Sequence, residues 1–255
     1  MKARLLEWQA DEHGPLEVYE QADEILLHFG NETAQSAWRP DMPEHLSFAY
    51  YRALILSLAL HPAPDRIGML GLGGGAMAKF LLEHTESTIH AVDLRPALAP
   101  LASRHFGLDL DHPRLELQFA DICSPDWQPP RNLDVVLIDL FDEAGMVRLP
   151  DEAVGQIADA MAPGGVLAIN LWRNNKSAVA SSQRQFSAYF HSNALTSRMP
   201  DGLNTVMIYR REAWQPADLD AGLTRPATVS RPLRMAQGEA WQWLQPLTKG
   251  LRHRW

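Results

Sequence analysis

The chain has 255 residues, 46% of them hydrophobic and 21% charged, with a formal net charge of −8 and one cysteine. That composition excludes a disordered chain and an internal disulfide framework, and no apolar run approaches the roughly 18 residues of a membrane span. Met1 to Trp8 lack the apolar stretch of a secretory signal and the lone Cys123 fits a reducing compartment, so the expected location is the cytoplasm.

Residues 1–42 read as a small β-hairpin domain. Leu16-Glu17-Val18-Tyr19 alternates apolar and polar, and Glu24 to Phe29 is a second apolar run closed by the turn signal Gly30-Asn31. The apolar spacing of Leu46, Tyr50, Leu54 and Leu58 predicts a helix from Pro43 to Leu60, ended by His61-Pro62-Ala63-Pro64. The pair Tyr50-Tyr51 reads as core.

Residues 43–212 then alternate strand and helix signals. Strands are expected at Ile67–Gly71, Thr88–Asp93, Leu115–Asp121, Asp134–Asp139 and Val166–Leu171, with Pro163-Gly164-Gly165 as a turn before the last. Helices are expected at Ala76–Glu83, Leu98–Phe106, Asp151–Met161 and Ser177–Tyr189, and a closing antiparallel hairpin at Ala194–Arg198 and Asn204–Tyr209 around Asp201-Gly202. The fold class is therefore α/β: a Rossmann-like, mostly parallel seven-stranded sheet with right-handed crossovers and a C-terminal antiparallel hairpin, preceded by the small β-hairpin domain. Residues 213–255 form a basic tail containing Trp241, Trp243 and Trp255. From Ala221 onward it holds six Lys or Arg against one acid, Glu239, leaving about −13 on the rest. Such a tail docks on its own acidic body or on a second subunit; a body this acidic repels nucleic acid.

The chemistry is expected at the heads of the strands. Gly71, Gly73, Gly74 and Gly75 lie between a strand and a helix, where glycines permit a sharp turn and close approach of a ligand, and where the helix N-terminus offers free N–H groups to an anion. Asp93 ends the next strand, at the spacing of an acid that holds ribose hydroxyls. Asp121 ends the third strand, placed to bond an adenine amine while Ile122 packs on the ring. Asp139 and Asp142 follow the fourth strand, with Glu143 adding negative charge. A carboxylate pair suits a cationic amine, because exposing the lone pair of an alkylammonium about 3 units above neutral costs roughly 4 kcal/mol. Each of these aspartates has a plainer reading as a cap or loop residue. Cys123 reads as a small apolar residue, and the ten histidines show no metal-ligand spacing, so no metal is expected.

The segment Gln35 to Trp172 resembles the spermidine synthase-like family, which has the class I fold of S-adenosylmethionine-dependent methyltransferases. The resemblance rests on Gly71-Leu72-Gly73-Gly74-Gly75, Ala91-Val92-Asp93, Ala120-Asp121, Leu137-Ile138-Asp139 with Asp142, Met161-Ala162-Pro163-Gly164-Gly165, and Gln35-Ser36 after the leading hairpins. It implies S-adenosylmethionine or its decarboxylated form as co-substrate, held by Gln35, the glycine loop, Asp93, Asp121 and Ile122. It also implies Asp139 as base and Asp142 gripping the amine. Separately, the unpaired edges of the leading hairpins, about Leu16 to Gln35, predict a homodimer with these hairpins or the Trp-rich tail at the interface. The family's Asp-Gly after the three glycines is Ala76-Met77 here, and its Tyr-His-Glu cluster is Ser47-Phe48-Ala49 with Glu44 upstream, so the polyamine site is rebuilt and Phe48 would favour an apolar acceptor stem. Two alternatives stay open: a non-catalytic nucleoside-binding homologue, and an NAD-dependent dehydrogenase, whose fingerprint Gly71-x-Gly73-x-x-Ala76 with Asp93 also fits.

Overall fold

A computed structural model describes residues 3–61, 63–142, 145–173, 175–190, 194–214 and 230–246. Glu143 and Trp255 lie outside them.

The leading segment folds as an antiparallel meander of β1 (Arg4–Asp11), β2 (Gly14–Gln21), β3 (Glu24–His28) and β4 (Ala34–Trp38). Alternation orients it: Leu16, Val18, Ile25 and Leu27 are buried, whereas Leu5 and Trp8 on the edge strand β1 are 49% and 58% exposed.

Helix α1 (Ala49–Leu60) starts six residues later than its apolar spacing predicts. Residues 39–45 form successive turns, with the Met42 and His45 amides donating to Arg39 and Met42, and Phe48 is extended at φ −82°, ψ 135°. Leu46 is buried and Phe48 stacks on Tyr50, so both bury apolar surface without joining the helix. Once begun, α1 is buried on nearly every side, as a helix clothed on two faces must be.

The main sheet contains β5 (Arg66–Leu70), β6 (Thr88–Asp93), β7 (Leu115–Phe119), β8 (Leu133–Ile138), β11 (Met161–Trp172), β12 (Leu195–Arg198) and β13 (Asn204–Arg210). A short β14 (Leu244–Pro246) from the tail extends these seven to an eighth strand, in the order β14-β12-β13-β11-β8-β5-β6-β7. Five neighbours, β11 to β7, run parallel; β12, β13 and β14 are antiparallel. Pro163-Gly164-Gly165 is a correction to the sequence reading: it lies inside β11, where the pairing with β8 slips between Met161 and Val166. The irregularity is local because Gly164 takes φ +77° and its amide is held by the Glu212 carboxylate. Between β8 and β11, β9 (Phe141–Asp142) and β10 (Gly145–Met146) form a minimal hairpin.

Helices α2 (Ala76–His84), α3 (Leu98–Phe106), α4 (Asp151–Ala160) and α5 (Lys176–Tyr189) divide between the two faces of the sheet, each face with its own apolar cluster. The described part of the tail docks on the body. Helix α6 (Arg231–Trp241) packs on α1, Glu239 pairs with the Arg52 guanidinium at 2.9 Å, and that guanidinium lies 5.6 Å over the Trp243 ring.

Candidate active site

The heads of β5, β6 and β8 open into a cavity of about 580 Å³. The β1–β2 turn, Glu12 to Pro15, closes it on one side; Leu140, Phe141, Asp142 and Val147 close it on another. A parallel sheet creates such a crevice where the chain leaves neighbouring strands for opposite faces, here between β5 and β8.

The glycine loop is built for approach. Gly71 sits at φ +100°, Gly73 at +55° and Gly75 at +76°, conformations that side chains resist. Their crowding differs. Gly71, Leu72 and Gly73 line the cavity, whereas Gly74 abuts the Phe106 ring and Gly75 the Leu108 side chain, each too close for a Cβ. The amides of the glycine loop itself have partners within the protein. Gly71 donates to the Val92 carbonyl at 2.8 Å, Leu72 to Asp93 Oδ2 at 2.7 Å, Gly74 to Ser36 Oγ at 2.8 Å and Gly75 to the Leu72 carbonyl at 2.9 Å; the Gly73 amide also bonds Asp93. The loop is thus pinned to Asp93 at the end of β6 and to Ser36 on β4.

Asp93 lines the cavity, half-buried, with Oδ1 accepting the Arg95 amide at 3.0 Å. Burial pushes its carboxyl up against the pull of those amides. Gln35, Asp121 and Ile122 also line the cavity; Asp121 is exposed, Ile122 buried, and Asp121 Oδ1 accepts the Cys123 amide at 2.8 Å. Asp142 is exposed at the rim, its Oδ1 accepting the Gly145 amide at 2.9 Å. Among the described residues no group of His, Cys, Asp and Glu could hold a metal ion.

Asp139 is the innermost carboxylate. Its amide donates to the Leu70 carbonyl at 2.9 Å, fixing it where β8 leaves the sheet beside β5. Asn170 Nδ2 donates to Asp139 Oδ1 at 2.9 Å, and Asn204 Nδ2 holds Asn170 Oδ1 at the same distance. Tyr50 lines the same cavity. Burial outweighs the pull of its polar neighbours, Asn170 first, and raises the carboxyl from 3.8 to about 6. That value suits a general base near neutral pH.

Sequence reasoning missed Tyr50, Tyr51, Ser36, Asn170 and Arg95. The two tyrosines line the cavity and are not merely core; their adjacency at the start of α1 carried no signal of it. Ser47, Phe48, Ala49 and Glu44 do not line it, and the Phe48 ring instead packs with its centroid 5.3 Å from that of each tyrosine ring. Arg95 is buried and ties the β1–β2 turn to the site: it donates to both Asp11 oxygens, at 3.0 and 2.8 Å, and to the Gly14 carbonyl at 2.7 Å. The Phe29 ring lies 4.9 Å beneath it.

No family model matches the chain. It is 30% identical over 164 residues to a polyamine aminopropyltransferase of Chromobacterium violaceum, a match covering 63% of each chain. The chain thus spans somewhat under two thirds of the length of the curated relatives it matches. In structure it superposes on a spermidine synthase in complex with the transition state analogue AdoDATO with a TM-score of 0.68 at 16% identity, covering 92% of this chain and 88% of that one. On human methyltransferase-like protein 13 in complex with SAH the TM-score is 0.60 at 20% identity, covering 73% and 93%. At these identities the structural likeness establishes the fold.

Proposed function

We propose, for a chain homologous to the polyamine aminopropyltransferases and built on the fold of spermidine synthases and methyltransferases, that it transfers an alkyl group from an adenosine sulfonium to a small amine, with Asp139 as base. The observation that carries this reading is the carboxyl of Asp139 at the wall of the cavity, held by Asn170 and raised by burial to about 6. The nucleoside would lie along the cavity with its ribose at Asp93 and its adenine between Asp121 and Ile122. Gln35 and the cavity face of the glycine loop would hold the tail.

In the reaction the neutral amine attacks the carbon attached to sulfur. The N–C bond forms, the C–S bond breaks with its electron pair left on sulfur, and the ammonium proton passes to Asp139. Orientation and proton removal are the protein's part. Asp142, exposed at the rim, draws in the cation.

Charge supports the decarboxylated co-substrate, hence aminopropyl transfer. Glu12, Asp93, Asp121, Asp139 and Asp142 line the cavity, and Arg95 is engaged by Asp11. A tail carboxylate would sit among these acids beside loop amides that already have partners, whereas an aminopropyl ammonium is welcomed. The acceptor wall, with Tyr50, Met77, Leu140, Phe141 and Val147, suits an amine with an apolar stem.

This reading puts the reaction in a reducing compartment, the cytoplasm, which the lone Cys123 supports. No described helix is long and apolar enough to cross a membrane. It also takes a homodimer, supported by the exposed Leu5 and Trp8 on edge strand β1. The direct test is calorimetry with methylthioadenosine, S-adenosylmethionine and NAD. Methylthioadenosine binding that is weakened in Asp93→Ala supports the reading; NAD binding in its place overturns it.

A further inference from the structure

Asp139 and two asparagines form a line across three adjacent strands. Asn170 follows Ile169, the partner of Ile138, so the parallel register of β11 with β8 sets Asn170 beside Asp139. Asn204 lies two residues from Val206, which pairs with Asn170, and is therefore the diagonal neighbour of Asn170 on the same face of the sheet. The contacts are direct: Asn170 Nδ2 donates to Asp139 Oδ1 and Asn204 Nδ2 donates to Asn170 Oδ1, each at 2.9 Å. Asn170 is buried. The backbone before Asn204 is fixed by the β12–β13 turn, where the Leu203 amide donates to Asp201 Oδ1 at 2.9 Å and the Arg173 amide to the Leu203 carbonyl at 2.8 Å.

The two ends of an amide side chain differ: one only donates, the other only accepts. An ionised carboxylate only accepts, so Asn170 must turn its NH2 group to Asp139. Its carbonyl then faces away, and a buried carbonyl needs a donor. Asn204 supplies it. Were Asn170 turned over, its carbonyl would meet the carboxylate, acceptor against acceptor. We propose that Asn204 is a positioning residue, which fixes the orientation of the Asn170 amide and through it holds Asp139 ionised and oriented for the incoming amine. The inference rests on Asp139 being the base. It gives the closing antiparallel hairpin a part in the reaction: β13 carries the side chain that decides which end of Asn170 the base meets.

The groups around Asp139 make the test readable. The titratable ones that share its cavity are Tyr50 and Tyr51 from α1, Asp93 and Arg95 at the end of β6, Asp121 and Cys123 beyond β7, Asp142 from β9, and Glu12 and His13 from the β1–β2 turn. From β11 and β13 the side chains that reach it, directly and through one neighbour, are the neutral Asn170 and Asn204. Replacing an asparagine by an uncharged residue alters none of the titratable groups, so a shift between such variants reports the asparagine chain alone.

The experiment compares wild type, Asn170→Ala, Asn204→Leu and the double variant by two readouts. The first is protonation of Asp139 followed by its carboxyl infrared band, with Asp139→Asn as the blank; the second is kcat against pH with the amine that reacts fastest. A hydrogen bond to a carboxylate moves its titration down by about one pH unit. Asn170→Ala is therefore expected to move the infrared midpoint and the acidic limb of kcat up by about one pH unit, costing roughly fivefold in kcat at pH 6 and little above pH 8, with co-substrate KM unchanged. Asn204→Leu, nearly the same in shape but without the donor, moves both in the same direction by less. The double variant matches Asn170→Ala, because Asn204 acts through Asn170 alone. Asn204→Asp provides a second substitution at the position: it puts an acceptor against the Asn170 carbonyl, and its shift should be larger with Asn170 present than in the Asn170→Ala background. An unmoved infrared midpoint in Asn204→Leu overturns the proposal, as does an equal shift with and without Asn170. The infrared readout needs no activity. If Asp139→Asn keeps full activity, the base assignment itself fails, a result separate from the infrared outcome.

Discussion

Gly71 and Asp139 meet so closely where β5 and β8 end that a Cβ on Gly71 would lie 2.2 Å from the Asp139 carbonyl oxygen. With φ at +100°, Gly71 is doubly required: no side chain suits its backbone, and none fits the gap. Gly71→Ala must push the Asp139 backbone out of place or open the loop. The expected cost is about 3 kcal/mol, or roughly a 6–12 °C lower Tm for a chain of this size. A melting curve within about 2 °C of wild type would show that the gap closes differently.

Asp139→Asn separates stability from function. The folded carboxyl is raised from 3.8 to about 6, so the fold binds its proton more tightly than the unfolded chain does. The contribution is fully present below about pH 4 and is lost as pH rises through 6. At pH 7 the ionised group is a net cost, on the order of 2–3 kcal/mol. The Asn variant should therefore melt no lower than wild type at pH 7 while losing at least about 100-fold in kcat. Thermal melts at pH 4 and pH 7 check the sign: the advantage of the variant should shrink or reverse at pH 4.

Asp142→Asn should behave differently. Asp142 is exposed at the rim, at the end of β9, where its Oδ1 accepts the Gly145 amide at 2.9 Å. Its loss should raise the acceptor KM several-fold and leave kcat within about threefold, measured by initial rates over a range of amine concentrations. A kcat loss equal to that of Asp139→Asn would exchange the two roles.

Asp11→Ala tests the tie between the leading meander and the site. Arg95 would keep the Gly14 carbonyl but lose both carboxylate oxygens while remaining buried, a loss of about 3 kcal/mol. Because the Arg95 amide bonds Asp93, nucleoside affinity should fall as well. Urea unfolding and nucleoside calorimetry on the same sample check both. Unchanged values would make the tie incidental.

For assembly, light scattering at micromolar concentration should give a dimer, and Trp8→Glu on the exposed edge strand should give a monomer. A wild-type mass near 28.6 kDa would remove the homodimer from the account.

Where signals were local, the sequence was readable. Thr88–Asp93 and Leu98–Phe106 have the ends expected of them, because an apolar run and the left-handed Gly107 mark them. The start of α1 was not readable: Leu46 and Phe48 keep helical spacing, but Phe48 is extended and buries its ring on the tyrosines from outside the helix. In the site, the aspartates at strand ends announced themselves by position. Ser36, Tyr50, Asn170 and Arg95 come from four separate elements or loops and acquire meaning only when the fold brings them together. Gly74 and Gly75 show the same limit, since glycines that yield to Phe106 and Leu108 look in sequence like glycines that yield to a ligand.

The central claim is tested most directly by chromatographic measurement of nucleoside products after incubating the protein with decarboxylated S-adenosylmethionine, or with S-adenosylmethionine, and a panel of small amines. The account predicts amine-dependent release of methylthioadenosine from the decarboxylated form, faster as pH rises through 6 and absent in Asp139→Asn. No amine-dependent nucleoside product from either sulfonium, in a protein that still binds methylthioadenosine, would contradict the transferase and leave a nucleoside-binding protein.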